Sequence, residues 1–163
     1  MVVVLNAHAL IALIAQSVEV FRYETYGYLL ISEKKNNQVV EAAISYQTAK
    51  RNGFNEVEDS NRSEKVYAWT KEIANVVDGF HSHTYSPRQR LKAEPTETDI
   101  SQMTNGHFEI IVGIQRQKRR RYNRDWHEID LGLKGSINGY NFLLRCWKKT
   151  DPKGVTEQKL KLS

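Results

Sequence analysis

The N-terminal third of the chain switches between two spacings of apolar residues. Val2 to Leu5 is a β-branched run, which predicts a short strand. Asn6 then offers an N-cap, and Leu10, Ile14, Val18 and Phe21 recur at threes and fours with Leu13 beside them. That spacing puts one apolar stripe along a helix. Tyr28 to Ile31 and Val39 to Tyr46 read as strands joined by a turn at Lys34 to Asn37. Lys50 to Arg62 is polar, contains Gly53, and reads as a loop or insertion. Asn61 followed by Glu64 resembles a capping box, opening a second helix with Val66, Trp69, Ile73 and Val76 or Val77 on its inner face.

The C-terminal half is richer in strands. Asp78 to His83 predicts a short one, Thr84 to Pro95 a long polar loop, and Thr96 the start of a short helix to about Met103. Three more strands are expected near Phe108 to Ile114, Trp126 to Leu133 and Tyr140 to Trp147. Strands mixed with two long helices give an α+β class, or α/β with a mixed sheet flanked by helices. No repeat, low-complexity tract or Pro/Gly/Ser linker divides the chain, so residues 1–150 read as one domain and 151–163 as a C-terminal extension.

Composition narrows the class. A chain of 163 residues with 40% hydrophobic and 26% charged content is long and apolar enough for one folded domain. The first basic residue is Arg22, too late for a signal peptide, and Asn6, His8, Gln16, Ser17 and Glu19 interrupt the early apolar run, so no membrane segment is expected. The single cysteine, Cys146, lies among apolar neighbours and reads as a buried thiol, consistent with a reducing, cytoplasmic setting. The net charge is +5, yet Gln115 to Arg124 alone holds six basic residues and no acid. Those residues are Arg116, Lys118, Arg119, Arg120, Arg121 and Arg124; the rest of the chain is near neutral. No aromatic platform accompanies the run, which therefore reads as a solvated hairpin edge rather than a nucleic-acid surface.

Three signals carry chemistry. His81-Ser82-His83 in a strand points two imidazoles to the same side, where they can share a metal. Thr96-Glu97-Thr98-Asp99 fixes Asp99 in a first helical turn, and a third N/O ligand with one open position is what a catalytic zinc site needs. Glu24 stands at the junction of the first helix and the next strand. His8, His107 and His127 have no partner at ligand spacing and read as structural.

The order of these parts is Glu24, Gly27 and an apolar strand, Gly79-Phe80-His81-Ser82-His83, then Thr96-x-x-Asp99. It resembles the JAMM/MPN+ zinc metalloprotease family, which includes deubiquitinases and archaeal-type ubiquitin-like isopeptidases, over nearly the whole chain. The resemblance implies a cytidine-deaminase-like three-layer fold, with zinc held by His81, His83 and Asp99 and Glu24 as general base. It also implies that Thr96 stands in for a serine that stabilises the oxyanion. The implied reaction is hydrolysis of an amide or isopeptide bond at the C-terminal tail of ubiquitin or a ubiquitin-like protein. Alternatives within the family are a metal-free interaction scaffold and the processing of a ubiquitin-like sulfur carrier. Three departures stand out: Thr96 for Ser, Thr84 for the Pro that commonly follows the second His, and a twelve-residue loop from Thr84 to Pro95.

Overall fold

The structure is a computed structural model that describes residues 2–46, 50–52, 55–57, 60–117, 125–151 and 154–163. The predicted first strand is β1 (Val2–Leu5), and Asn6 caps the helix α1 (Ala7–Glu19) by accepting the Ala9 amide at 2.8 Å. β2 (Tyr26–Lys34) and β3 (Asn37–Ser45) form a hairpin. Its turn residues Lys35 and Asn36 both have positive φ, +48° and +68°, the twist that two-residue hairpins favour. The polar insertion contains a small separate hairpin, β4 (Lys50–Asn52) with β5 (Asn55–Val57). Then come α2 (Ser60–Ile73), β6 (Val76–Tyr85) and α3 (Glu97–Gln102). The chain ends with β7 (Phe108–Arg116), β8 (Asp125–Ile129), β9 (Gly132–Ile137), β10 (Tyr140–Lys149) and β11 (Val155–Leu162).

The strands run in the order β11-β1-β3-β2-β6-β7-β10-β9-β8, and β10 also pairs with β11. That extra pairing closes seven strands into a ring. The molecule is mostly β, built around a closed barrel. This corrects the α+β, helix-flanked mixed sheet and the MPN-type three-layer arrangement expected above. The physical reason lies in two places. Residues 155–162, expected only as an extension without an element of their own, form β11, which pairs parallel with β1 (Val2 beside Lys159) and antiparallel with β10 (Cys146 beside Gln158). The single strand expected over Trp126 to Leu133 is instead a hairpin turning between Ile129 and Gly132.

The barrel interior is the core. Val3, Leu5, Leu29, Val40, Phe80, Ile110, Val112, Phe142, Leu144, Cys146 and Leu160 are buried there, and α1 adds Ala9, Leu13 and Ile14. Gly27 is required by this packing, because a Cβ there would collide with the Phe80 ring and the Ile44 carbonyl. On α2 the expected inner face is rotated: Trp69 and Ile73 are exposed, while Ser63 and Thr70 are buried. Thr70 satisfies its buried hydroxyl within the helix, Oγ1 donating to the Tyr67 carbonyl at 2.7 Å. No helix among the described residues is long and apolar enough to cross a membrane.

Candidate metal centre

Strand alternation sorts β6 into two faces. Phe80 turns into the core, whereas Val77, Gly79, His81, His83 and Tyr85 share the opposite side. The antiparallel register with β2 places Tyr26 across from His81 and Tyr28 across from Gly79. It continues outward, with the Ser82 amide donating to the Thr25 carbonyl at 2.9 Å and the Thr25 amide to Ser82 Oγ at 3.0 Å. Glu24 therefore falls opposite His83, on the imidazole side. Tyr26 stacks on the His81 ring and donates its hydroxyl to Glu24 Oε2 at 2.9 Å. Glu24 is thus fixed to the rim of the site by the residue that lies on His81.

The expected ligands come together. His81 Nε2 and His83 Nε2 stand 2.9 Å apart, and Asp99 Oδ2 lies 3.6 and 3.3 Å from them. All three residues are buried or nearly so. Asp99 is held by the capping box of α3: the Thr96 amide and hydroxyl both donate to Asp99 Oδ2, at 2.7 and 2.8 Å, and the Asp99 amide donates back to Thr96 Oγ1. The Thr96 hydroxyl is accordingly directed at the ligand carboxylate. Behind the triad, Glu109 Oε1 lies 2.7 Å from His81 Nδ1, fixing the ring so that Nε2 faces the other two donors.

The electrostatics favour a positive charge at this point. Burial opposes protonation of His81, yet the facing carboxylates of Glu109 and Asp99 outweigh it and the ring is pushed up to about 10. Burial raises the Asp99 carboxyl, and the two imidazoles hold it well below the usual carboxylate range. A cation placed among these donors would meet the same demand. The donor set fits zinc: a tetrahedral ion about 2.0–2.1 Å from each ligand keeps those ligand atoms about 3.3 Å apart, in the middle of the 2.9 to 3.6 Å found here. Two nitrogens and one carboxylate oxygen also leave a fourth position open.

Two features escaped the sequence reading. Glu109 interrupts the apolar run Phe108 to Ile114, and a lone acid in such a strand was its only local signal. Tyr85 reaches the site face because Thr84, unlike proline, continues the β6–β7 ladder opposite Ile114. Burial, then Glu94, Glu24 and Asp99, raises the Tyr85 pKa, so its hydroxyl stays a donor. His107, read as structural, is hydrogen-bonded through Nδ1 to Asp78, whose other oxygen accepts the Phe108 amide at 3.3 Å. His127 lies 3.8 Å from Asp125 on the surface. Of the basic run, Arg116 is exposed, and Lys118, Arg119, Arg120, Arg121 and Arg124 lie outside the described residues.

No family model matches the chain, and no curated protein matches its sequence. Among solved structures, the chain is similar to the solution structure of protein DSY2949 from Desulfitobacterium hafniense, with a TM-score of 0.63 and 16% identity, covering 100% of this chain and 93% of that one. The likeness concerns the fold alone.

The triad sits between two hollows. On the Gly79 side a cleft of about 590 Å³ is lined by Tyr26, Tyr28, Tyr46, Tyr67, Asp78 and His107 together with His81 and Asp99. On the Tyr85 side a second hollow of about 500 Å³ is lined by His83, Tyr85, Arg90, Lys92, Glu94 and Thr96. The loop forming its wall is seated on Gly113 of β7, where a Cβ would collide with the Lys92 carbonyl.

Proposed function

We propose that the chain is a zinc-dependent hydrolase that cleaves an amide or isopeptide bond. The observation that carries this reading is the convergence of His81 Nε2, His83 Nε2 and Asp99 Oδ2 at zinc-ligand spacing between two hollows that each reach part of the triad. It is supported by Glu24, a carboxylate held at the rim of the site by Tyr26. The reading rests on the site and not on the barrel, since one fold hosts many chemistries. From the JAMM/MPN+ resemblance, the substrate is the C-terminal tail of ubiquitin or a ubiquitin-like modifier, met in a reducing, cytoplasmic compartment.

The roles of the residues follow from their positions. His81, His83 and Asp99 would hold the ion, which supplies a Lewis acid and brings the pKa of water to about 7. Glu24 takes a proton from the attacking water and delivers it to the departing amine nitrogen, a role worth about 10²–10⁴-fold. Glu109 keeps His81 in the tautomer that presents Nε2. Thr96 orients Asp99, and its hydroxyl can turn toward the carbonyl oxygen as negative charge develops there. Tyr85 supplies a second hydroxyl on the same side.

The test is hydrolysis of C-terminal amide conjugates of ubiquitin-like proteins and short peptides by zinc-loaded wild type and Glu24→Gln. The amide is nearly isosteric but cannot accept the proton, so zinc content and melting temperature should hold while turnover falls about 10²-fold or more. Equal turnover by Glu24→Gln would move the base elsewhere. Absence of cleavage by the zinc-loaded wild type across the panel would remove the hydrolase reading.

A further inference from the structure

The two hollows flanking the triad have opposite chemistry, and β6 fixes which side each is on. Gly79 and Tyr85 lie two residues beyond His81 and His83 in opposite directions along one face of the strand. Two strand positions correspond to about 7 Å, or two residues of an extended peptide.

On the Gly79 side three tyrosine rings gather. Tyr28 stands with its ring centre 4.9 Å from that of Tyr46 and 5.4 Å from that of Tyr67. The same cleft holds the buried Asp78 carboxylate, with His107 on it, and Glu109. Aromatic faces with a carboxylate close by suit an ammonium or guanidinium group. The chain itself uses one of these rings in this way: the Lys71 ammonium lies 5.0 Å from the centre of the Tyr67 ring. On the Tyr85 side, the exposed side chains of Arg90 and Lys92 line the hollow, with Glu94 4.0 Å from the Lys92 ammonium. That arm repels a cation and accepts an acid.

We propose that the Tyr28–Tyr46–Tyr67 arm binds a lysine or arginine side chain of the substrate and the Arg90–Lys92 arm an acidic one. Each would lie about two residues from the bond over the triad, and the pair fixes the direction in which the peptide lies. This inference rests on the hydrolase reading and names the substrate class of the same site: a peptide of opposite charge on its two flanks.

The measurement is fluorescence anisotropy of labelled peptides on zinc-loaded Glu24→Gln protein, which binds without turning over. Two peptides of equal composition are used, one with Lys on the N-terminal flank and Glu on the C-terminal flank, the other reversed, beside a neutral control. One charged order should bind at least about tenfold more tightly than the other, and added salt should reduce the difference. Arg90→Glu with Lys92→Glu should abolish that preference, and Tyr46→Leu should weaken the preferred peptide several-fold with zinc content unchanged. Equal binding of the two orders, or a preference that survives both variants, overturns the inference. Cleavage of all three peptides by wild type at equal efficiency also overturns it while leaving the hydrolase reading in place. A binding preference without cleavage of any peptide upholds the two arms, and the conjugates of ubiquitin-like proteins then decide the hydrolase reading.

Discussion

The two faces of β6 and β7 divide the molecule's work between them. Facing inward, Phe80, Phe108, Ile110, Val112 and Ile114 are buried against α1 and the far strands of the barrel. Facing outward on the same backbone are His81, His83, Tyr85 and Glu109. The inner face stabilises the fold through apolar area removed from water. The outer face does the opposite locally, since His81, His83 and Asp99 are withdrawn from water around a point that asks for a cation. A protein that only needed to fold would place apolar side chains there. Burying three polar groups within 3.6 Å of one another is a cost that an ion held there would offset.

Substitutions on the two faces should therefore separate. His83→Ala or Asp99→Ala should abolish stoichiometric zinc and all hydrolysis, while the metal-free melting temperature changes little. Phe80→Ala should instead cost about 3–5 kcal/mol of stability, because a large buried ring leaves a cavity. Its folded fraction should still bind one zinc. Mass spectrometry of the metal beside melting curves reads both quantities. Full zinc in either ligand variant, or an unchanged melt for Phe80→Ala, would erase the division of labour.

Glu109 tests the same contrast one layer further out. It touches His81 Nδ1, so Glu109→Gln should keep the fold and weaken zinc by about 10–100-fold in competition with a chelator. Glu109→Asp should recover part of the loss. If zinc affinity is unchanged in the Gln variant, the carboxylate is merely a solvated neighbour of the ring.

What the sequence reveals follows the same division. Local patterns were legible: the Asn6 cap, the turn at Lys35 and Asn36, the shared face of His81 and His83, and the Thr96–Asp99 capping box each involve residues at most four apart. Closure of the barrel was not. It depends on Val155–Leu162, whose residues Glu157, Gln158, Lys159 and Lys161 hide the strand pattern, and on pairing with β1 at the other end of the chain. Counting two long helices therefore gave the wrong class. Glu109 and the Asp78–His107 contact were missed for a related reason, their partners being 28 and 29 residues away across a parallel pair of strands. The hollow on the Tyr85 side depends on a loop seated on Gly113, which no local spacing announces.

The smallest effect distinguishes two duties of one hydroxyl. Thr96 caps α3 and donates to Asp99 Oδ2, and both duties need only the oxygen and its proton. Thr96→Ser should then be close to neutral in zinc content, melting temperature and turnover, with the lost methyl loosening χ1 slightly. Thr96→Val keeps the shape and removes the hydroxyl, costing about 1 kcal/mol through the lost cap. Stability alone cannot separate capping from catalysis, so the melt must be read beside kcat at a temperature where every variant is folded. A fall in kcat greater than the fall in zinc occupancy assigns the hydroxyl to the developing oxyanion. A fall that tracks zinc occupancy assigns it to orienting Asp99, and an unchanged kcat at full occupancy leaves Thr96 as a helix cap.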